Sequence, residues 1–250
     1  MSQHTVTLSG EIDLPGFRRE ARALLAGLVP PEDTHWHTTV GADWMTKGIK
    51  TALPDTRDTH VATNLFLPRS FLSLCDTVIL HNDPTRFVLL YRLLWRLVHE
   101  PDLRRNPLDT DRMRALHMAQ AVRRDMQKMK SLTRFKAIDE GLGTEPLHIA
   151  WFRPDHHIAE AVAPFFARRL AHLRWVILTP ERSVRWNGEA LEFGLGMRHE
   201  KMPPEVSDGD ALLAYRAIYY LLPLIVASLF YVVTELRAKR LRKRGPAPQT

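Results

Sequence analysis

The sequence has little of what stabilises a small secreted protein, since it contains one cysteine in 250 residues. That residue, Cys75, lies in an apolar stretch and cannot form a disulfide within the chain. A disulfide framework is therefore excluded, and a reducing compartment is favoured. The opening segment MSQHTVTLSGEIDLPG lacks the basic start and apolar run of a secretory signal, so we expect a cytoplasmic protein.

Motifs that identify enzymes are also missing. The sequence has no Walker loop, no dinucleotide-binding glycine pattern, no Cys-x-x-Cys, no His-Glu-x-x-His and no nucleophile elbow. Its twelve histidines are numerous, but none is at a spacing typical of a strong metal site. We therefore expect neither a bound metal nor a cofactor.

Positive charge is unevenly distributed along the chain, whose formal net charge is +7. Residues 237–250 form a basic tail that carries +6, so the rest of the chain is close to neutral in sum. Between Arg104 and Lys136, however, ten lysines and arginines accompany three aspartates, which gives a local charge of +7. A basic segment inside the fold is a candidate nucleic-acid-binding surface.

Hydrophobic periodicity predicts an α+β fold, in which several helices pack on a small mixed sheet. Residues 1–216 would form this domain, followed by an apolar helix at 217–236 and the basic tail, while 41–66 would be a loop with one weak strand. The predicted strands are TVTLSG, HWHTTV, LHIAWF and RWVILTP. The predicted helices are 14–28, 83–100, 109–135 and the segment after PDHH. A C-terminal β-hairpin is predicted at SVRWNGEALEF.

Two details of the strands can be predicted further. LHIAWF, the helix after it and RWVILTP are typical of a strand–helix–strand unit. The dipeptide Asn187-Gly188 predicts a two-residue hairpin turn, which would place Val184 opposite Leu191.

Basic side chains repeat at helical spacing on two of the predicted helices. Two interpretations are open: a solvated helix face, or a set of contacts to DNA phosphates. The helix at 83–100 carries one row, Arg92 with Arg96. The helix at 109–135 carries two rows: one is Arg124 with Lys128, and the other is Arg123 with Lys130 and Arg134.

The segment WFRPDHHIAEAVAPFFARR, residues 151–169, places two adjacent histidines after an aspartate. Neighbours on a helix project about 100° apart, which is a poor arrangement for sharing one metal ion. Asp155 is a good candidate for a helix N-cap, with His156 and His157 in the first turn. The alternative is a catalytic role, in which Asp155 orients or charges His156 or His157 as a general acid–base.

Three long stretches carry a family resemblance. They are VILHNDPTRFVLLYRLLWRL, MAQAVRRDMQKMKSLTRF and IAWFRPDHHIAEAVAPFFARRLAHLRWVILTPERSVRWNGEALEFG. Over residues 1–220 the chain resembles the DNA-metabolism domain of unknown function that precedes UdgX-type uracil-DNA glycosylases. Relatives of that domain also stand alone, encoded beside a radical SAM protein assigned to DNA modification or repair.

The resemblance implies a setting in DNA repair or DNA metabolism, with DNA, a radical SAM protein or a UdgX-type glycosylase domain as partners. It implies no reaction, because the chemistry of that domain is not established. Uracil excision by this chain alone is not expected, since it has no Gly-Glu-x-Pro-Gly loop and no His-Pro-Ser segment. A functional cleft would be lined by four aromatic residues: Trp151, Phe152, Tyr91 and Trp95.

The resemblance ends near Leu221, where the sequence becomes apolar. Residues 217–234 are eighteen uncharged residues, about the minimum for a helix that spans a membrane. By the positive-inside rule, a cytoplasmic basic tail would then place the main domain outside, away from DNA. A spanning helix, weak membrane association, a buried C-terminal helix and an altered gene end are all consistent with this segment.

Three functions are consistent with these patterns. The first is a DNA-repair accessory protein that binds DNA through the basic rows. The second is an enzyme that processes a nucleotide or base with Asp155, His156 and His157. The third is a docking or scaffold protein that contacts the radical SAM protein without touching DNA directly.

Overall fold

The structure, a computed structural model, describes residues 3–39, 67–139 and 145–197 together with four isolated positions between 216 and 228. The helices in these ranges are α1 (Leu14–Ala26), α2 (Arg69–Val78), α3 (Arg86–His99), α4 (Thr110–Leu132) and α5 (Ala159–Arg169). The strands are β1 (His4–Leu8), β2 (Thr34–Thr38), β3 (Lys136–Ile138), β4 (Leu147–Trp151), β5 (Arg174–Leu178), β6 (Arg182–Trp186) and β7 (Leu191–Leu195). The loop predicted at 41–66 and the basic tail at 237–250 lie outside the described residues.

Two pairs of parallel strands organise the fold. Strand β1 pairs with β2, and α1 connects them. A second sheet has the order β3-β4-β5-β6-β7, in which β4 and β5 are parallel and the other neighbours antiparallel. Helix α5 connects β4 to β5. The predicted α+β class is therefore confirmed, and so is the strand–helix–strand unit at 147–178.

The buried apolar residues form two clusters that share one helix. The N-terminal cluster combines β1 and helices α1 to α3 with Ala115 and Ala119 of α4. The C-terminal cluster combines α5 and the larger sheet with Val122 and Met129 of the same helix. Helix α4 is 23 residues long, so its apolar stripe crosses both clusters and fixes them relative to each other.

Aspartate side chains shape the starts of two helices. Asp109 accepts a hydrogen bond from Arg112 N at 3.0 Å and caps α4. Helix α3 begins at Arg86, inside the predicted range 83–100, because Asp83 Oδ1 accepts from Thr85 N at 2.8 Å and closes a turn before the helix.

The C-terminal hairpin is confirmed, but its predicted register is wrong. Val184 lies opposite Phe193, and Trp186 lies opposite Leu191. The connection is longer than two residues because Asn187 Oδ1 accepts from two backbone N–H groups, at 2.9 and 2.8 Å, which stabilises a wider turn. Gly188 has φ +103° within this turn, a conformation that glycine adopts without strain.

A membrane-spanning helix was one interpretation of the apolar segment. Among the described residues, no helix is both long enough and apolar enough to cross a membrane. The predicted helix at 217–236 lies outside them except for three isolated positions.

Replacement of Gly196 by alanine tests the packing between the end of β7 and the turn after β5. A Cβ at Gly196 would overlap the backbone of Pro180 and Glu181. Because backbone atoms cannot move aside cheaply, Gly196→Ala should lower the free energy of unfolding by about 1–3 kcal/mol in urea denaturation. Gly10→Ala is the matched control, since a Cβ there meets nothing within 4 Å. Equal stability of the two variants would contradict the close approach.

Candidate functional site

Arg86, the first residue of α3, is buried with 0% of its surface exposed. Its guanidinium donates to Ile79 O at 2.9 Å and to Asp83 O at 3.1 Å. It also donates to Glu11 twice, at 2.7 Å to the carbonyl oxygen and 2.6 Å to Oε2. Because a buried charge is tolerated only when it is paired and hydrogen-bonded, these four contacts stabilise the guanidinium. Arg86 therefore joins the loop after β1 to the loop before α3.

Glu11 extends this network to His157 and Glu181. His157 Nδ1 lies 2.6 Å from Glu181 Oε2, and His157 Nε2 lies 3.9 Å from Glu11 Oε2. The hydrogen bond with His157 lowers the pKa of Glu181 and outweighs the opposite effect of burial. Burial raises the pKa of Glu11, but hydrogen bonds from Thr38 and Arg86 outweigh it, and the net shift is downward. Two charged carboxylates therefore flank one imidazole at neutral pH.

This cluster lies at the carboxyl ends of both parallel strand pairs. Glu11 follows β1 and accepts a hydrogen bond from Thr38 at the end of β2. His157 follows β4, and Glu181 follows β5. In open α/β sheets, ligands bind outside the carboxyl ends of the strands. The cluster occupies the corresponding position in this fold, where one pair of strands in each sheet is parallel.

A second pair of imidazoles, His81 and His156, adjoins the cluster. Their ring centroids are 4.3 Å apart. His81 Nδ1 accepts from Asp83 N at 3.0 Å, and His156 Nδ1 accepts from Asn82 N at 3.3 Å. Burial lowers the pKa of both rings, and the His156 charge lowers that of His81 further. The neutral rings therefore carry their proton on Nε2 and offer an N–H donor there.

The Nε2–H tautomer of His81 and His156 is unfavourable for binding a metal ion at Nε2. A metal ion at Nε2 would require the proton on Nδ1, where both rings instead accept a hydrogen bond. Within the described ranges, no three histidine, cysteine or acidic side chains are grouped so that they could hold a metal ion. The absence of a bound metal remains a prediction.

Asp125 holds the histidine segment, which we define as residues 152–158 between β4 and α5. Its carboxylate is buried on α4, at 3% exposure, and Oδ2 accepts from Asp155 N at 2.8 Å and His156 N at 2.9 Å. Burial raises the pKa of Asp125, and the two donated hydrogen bonds offset this only in part. His157 N donates to Leu80 O at 2.9 Å, so the segment is also tied to the loop before α3.

The N-cap role predicted for Asp155 is wrong. Helix α5 begins at Ala159, and its N-cap residue is Ile158. The Asp155 carboxylate lies 3.5 Å from Lys128 Nζ, and within the described ranges no hydrogen bond joins it to a histidine side chain. The Asp125 carboxylate anchors the histidine segment by accepting hydrogen bonds from the backbone N–H groups of Asp155 and His156, so no side-chain cap is needed to fix the segment. Asp155 therefore does not orient either histidine through a hydrogen bond, but its charge acts on His156 and raises the pKa of that ring against the larger effect of burial.

The two basic rows of α4 flank its buried stripe, as predicted. Arg124 and Lys128 are exposed and lie on the flank toward the histidine segment, which Lys128 and Asp125 both contact. Arg114 and His117 continue this row toward the helix N-terminus at spacings of three to seven residues. We call Arg114, His117, Arg124 and Lys128 the histidine-side row.

The remaining basic residues of this helix lie elsewhere. Arg123 and Lys130 are roughly 150° around the helix from the histidine-side row, at 100° per residue. Lys130 Nζ lies 5.3 Å from the Phe165 ring centroid. Arg134 follows the helix and donates to Ser131 O at 2.9 Å. The residues predicted to contact DNA therefore do not form one surface.

Arg92 and Arg96 are paired with acids of their own surface. Arg96 lies 2.7 Å from Asp109, 3.1 Å from Asp111 and 3.0 Å from Glu100. The hydrogen bond with Asp109, followed by that with Glu100, raises the pKa of Arg96. Arg92 lies 3.4 Å from Asp111. Because three carboxylates surround the Arg96 guanidinium, this side chain is poorly placed to contact a phosphate.

The four aromatic residues predicted to line a cleft are separated. Tyr91 is 0% exposed and donates its hydroxyl to a backbone carbonyl, so it is a core residue and its predicted place in a cleft is wrong. Trp95 packs at the edge of the N-terminal cluster and stacks on His99. Trp151 ends β4 and Phe152 is the first residue of the histidine segment, and both are half-buried.

Five residues of the site were not identified from the sequence: Glu11, His81, Arg86, Asp125 and Glu181. No local motif joins them, because they come from separate loops and helices. Asp125 could have been identified from the sequence, because it occupies the apolar stripe of its helix together with Val122 and Met129. A charged residue inside such a stripe indicates a buried polar contact.

The comparisons with known proteins give one family. Over residues 84–212, slightly more than half of the chain, the sequence matches a family described as a domain of unknown function, DUF4130. No curated protein and no solved structure matches the chain. The matched range contains Arg86, Asp125, His156, His157 and Glu181, while Glu11 and His81 precede it.

Replacement of Asp125 tests whether this carboxylate holds the histidine segment. Asp125→Ala leaves two N–H groups without their acceptor and should lower the free energy of unfolding by about 1–3 kcal/mol. Asp125→Asn keeps an acceptor oxygen and removes a buried charge, so its cost should be smaller. Asp155→Ala, the control, alters an exposed side chain and should change stability by less than about 0.5 kcal/mol. Urea denaturation measures all three, and equal losses at both positions would refute the assignment.

Proposed function

The chain belongs to the DUF4130 family, a domain of unknown function, and we propose that it is a DNA-binding accessory protein of DNA repair or DNA metabolism. It would act with a radical SAM protein or a UdgX-type uracil-DNA glycosylase, the partners that the sequence resemblance implies. The observation that supports this proposal most is the histidine-side row, which places accessible positive charge beside a built polar site.

Two cations of this row, Arg124 and Lys128, are available to a ligand. Arg124 is exposed and has no acidic partner in the part of the chain that the structure describes. Lys128 and Asp155 are 3.5 Å apart, with side chains 59% and 66% exposed. An exposed pair of this kind is worth at most about 1 kcal/mol, so a phosphate could replace Asp155 as the partner of Lys128.

The length of the row suits an extended polyanion. From Arg114 to Lys128 it covers about 20 Å of helix, at 1.5 Å per residue. A nucleic acid strand along this flank would pass the loops that carry His81 and His156. Each phosphate that the row neutralises releases counterions, so binding of this kind depends on salt and little on sequence.

The His157–Glu181 pair supports a second function, an enzyme that processes a nucleotide or base. A charged Glu181 can only accept a hydrogen bond, so the His157 proton lies on Nδ1 and Nε2 can take a proton from a substrate. Glu11, 3.9 Å from Nε2, would stabilise the imidazolium that forms. In this version Glu181 takes the orienting role that the sequence suggested for Asp155.

Measurements of DNA affinity at several salt concentrations test the leading proposal. The double variant Arg124→Gln with Lys128→Gln removes two cations, and each of them accounts for one phosphate contact. The slope of log affinity against log salt should therefore fall by roughly 0.9 per contact for duplex DNA.

The matched control for this measurement is Arg123→Gln with Lys130→Gln, which removes the same charge from the other flank of α4. It should leave the slope nearly unchanged. Equal effects of the two double variants would show that only net charge matters. No DNA binding by the unaltered protein would leave the docking function as the better account.

Mass spectrometry of deoxynucleotides and oligonucleotides incubated with the full chain tests the enzyme function. A new product should form with the unaltered protein, vanish with His157→Gln and decrease with Glu181→Gln, because the amide cannot stabilise an imidazolium. Glu189→Gln, at an exposed carboxylate of the same hairpin region, is the control and should form product normally. Absence of any product, or its persistence with His157→Gln, contradicts this function.

A further inference from the structure

A concave pocket of about 550 Å³ lies between the first half of α4 and the loop that carries His81. Its lining includes three apolar residues and three residues with polar ends: Leu108, Met113, Met118, His81, Arg114 and His117. Small-molecule sites typically have volumes of about 300–1,000 Å³ and combine apolar walls with a few polar groups. The pocket is wide and open to solvent, and its volume lies within this range.

We propose that this pocket binds one unstacked nucleotide, with its phosphate at Arg114 and its nucleobase against the apolar wall. The proposal rests on the DNA-binding function above and adds the form of DNA that is bound. A single strand offers an unstacked nucleotide at no cost, whereas a duplex must first be unpaired and unstacked. Free deoxynucleotides have the same chemistry and are the second source that an experiment must distinguish.

Arg114 is positioned to hold a phosphate at the pocket. Its Nη2 donates to Thr85 Oγ1 at 2.8 Å and lies 3.4 Å from Asp83 Oδ2. Within the described ranges, its Nε and Nη1 have no partner, so they can donate to phosphate oxygens. A planar guanidinium binds phosphate oxygens in pairs.

His81 supplies a donor suited to a nucleobase. Its Nδ1 is occupied by the hydrogen bond from Asp83 N at 3.0 Å, so Nε2 is the nitrogen that remains for a ligand. A neutral imidazole N–H can donate to a carbonyl oxygen or ring nitrogen of a base. His117 lies one turn after Arg114 on the same flank and lines the same pocket.

The apolar wall gives the base a surface to cover. Leu108 is 80% exposed, while Met118 is 7% exposed and forms part of the core. Methionine side chains are polarisable and adapt to flat aromatic rings. Because Arg114 and His117 also belong to the histidine-side row, a strand bound along that row would deliver a nucleotide directly to this wall.

Leu108→Glu tests the pocket, since it places a negative charge at its wall without altering the core. Binding of the four deoxynucleoside 5′-monophosphates, of deoxyribose 5-phosphate and of a single-stranded oligonucleotide can be measured by calorimetry on the full chain. Leu108→Glu should weaken monophosphate and single-strand binding by about tenfold, since like charges repel at close range. Leu116→Glu adds the same charge outside the pocket, at a leucine that is 40% exposed, and should change little.

Three results would overturn the pocket assignment. They are monophosphates that bind no better than deoxyribose 5-phosphate, equal effects of the two glutamate variants, and duplex binding as tight as single-strand binding. If single-strand binding remains sensitive to Arg124→Gln with Lys128→Gln but ignores Leu108→Glu, the pocket fails and the DNA-binding function stands. If no DNA binds while monophosphates do, the proposed function fails and the pocket is a site for free nucleotides.

Discussion

The buried guanidinium of Arg86 is the interaction on which the site depends. Its four hydrogen bonds reach Glu11, Ile79 and Asp83, which come from the loop after β1 and the loop before α3. Because a buried guanidinium is costly to leave without hydrogen-bond partners, these loops are held in one arrangement. That arrangement sets Glu11 beside His157 and fixes the loop in which His81 packs against His156.

Helix α4 fixes the position of the histidine segment, as Arg86 fixes the loops after β1 and before α3. Its apolar stripe joins the two hydrophobic clusters, and Asp125 within that stripe binds the histidine segment through two backbone N–H groups. The same helix therefore places its exposed cations beside the site that it anchors. Positive charge, neutral imidazole donors and a pocket meet along one flank, which is the physical basis of the proposed interaction with nucleic acid.

The sequence predicted the elements of this fold well because most of them depend on local periodicity and capping. The helix predicted at 109–135 is α4, and the strand–helix–strand unit at 147–178 follows its apolar pattern. The partners of the histidines could not be predicted, since Glu181 and His81 reach them only through tertiary packing. The N-cap prediction for Asp155 is wrong because an aspartate before a helical pattern resembles an N-cap. The carboxylate that holds this segment is that of Asp125, thirty residues earlier on another helix.

The central claim is that nucleic acid binds along the flank of α4 that adjoins the two histidine loops. Amide chemical-shift mapping by NMR, with a short single-stranded oligonucleotide titrated into the labelled full chain, tests it most directly. We expect the largest shifts at the backbone amides of residues 81–83, 85, 114–128 and 155–157. Shifts confined to the opposite flank around Arg123 and Lys130, or no shifts at saturating oligonucleotide, would contradict it.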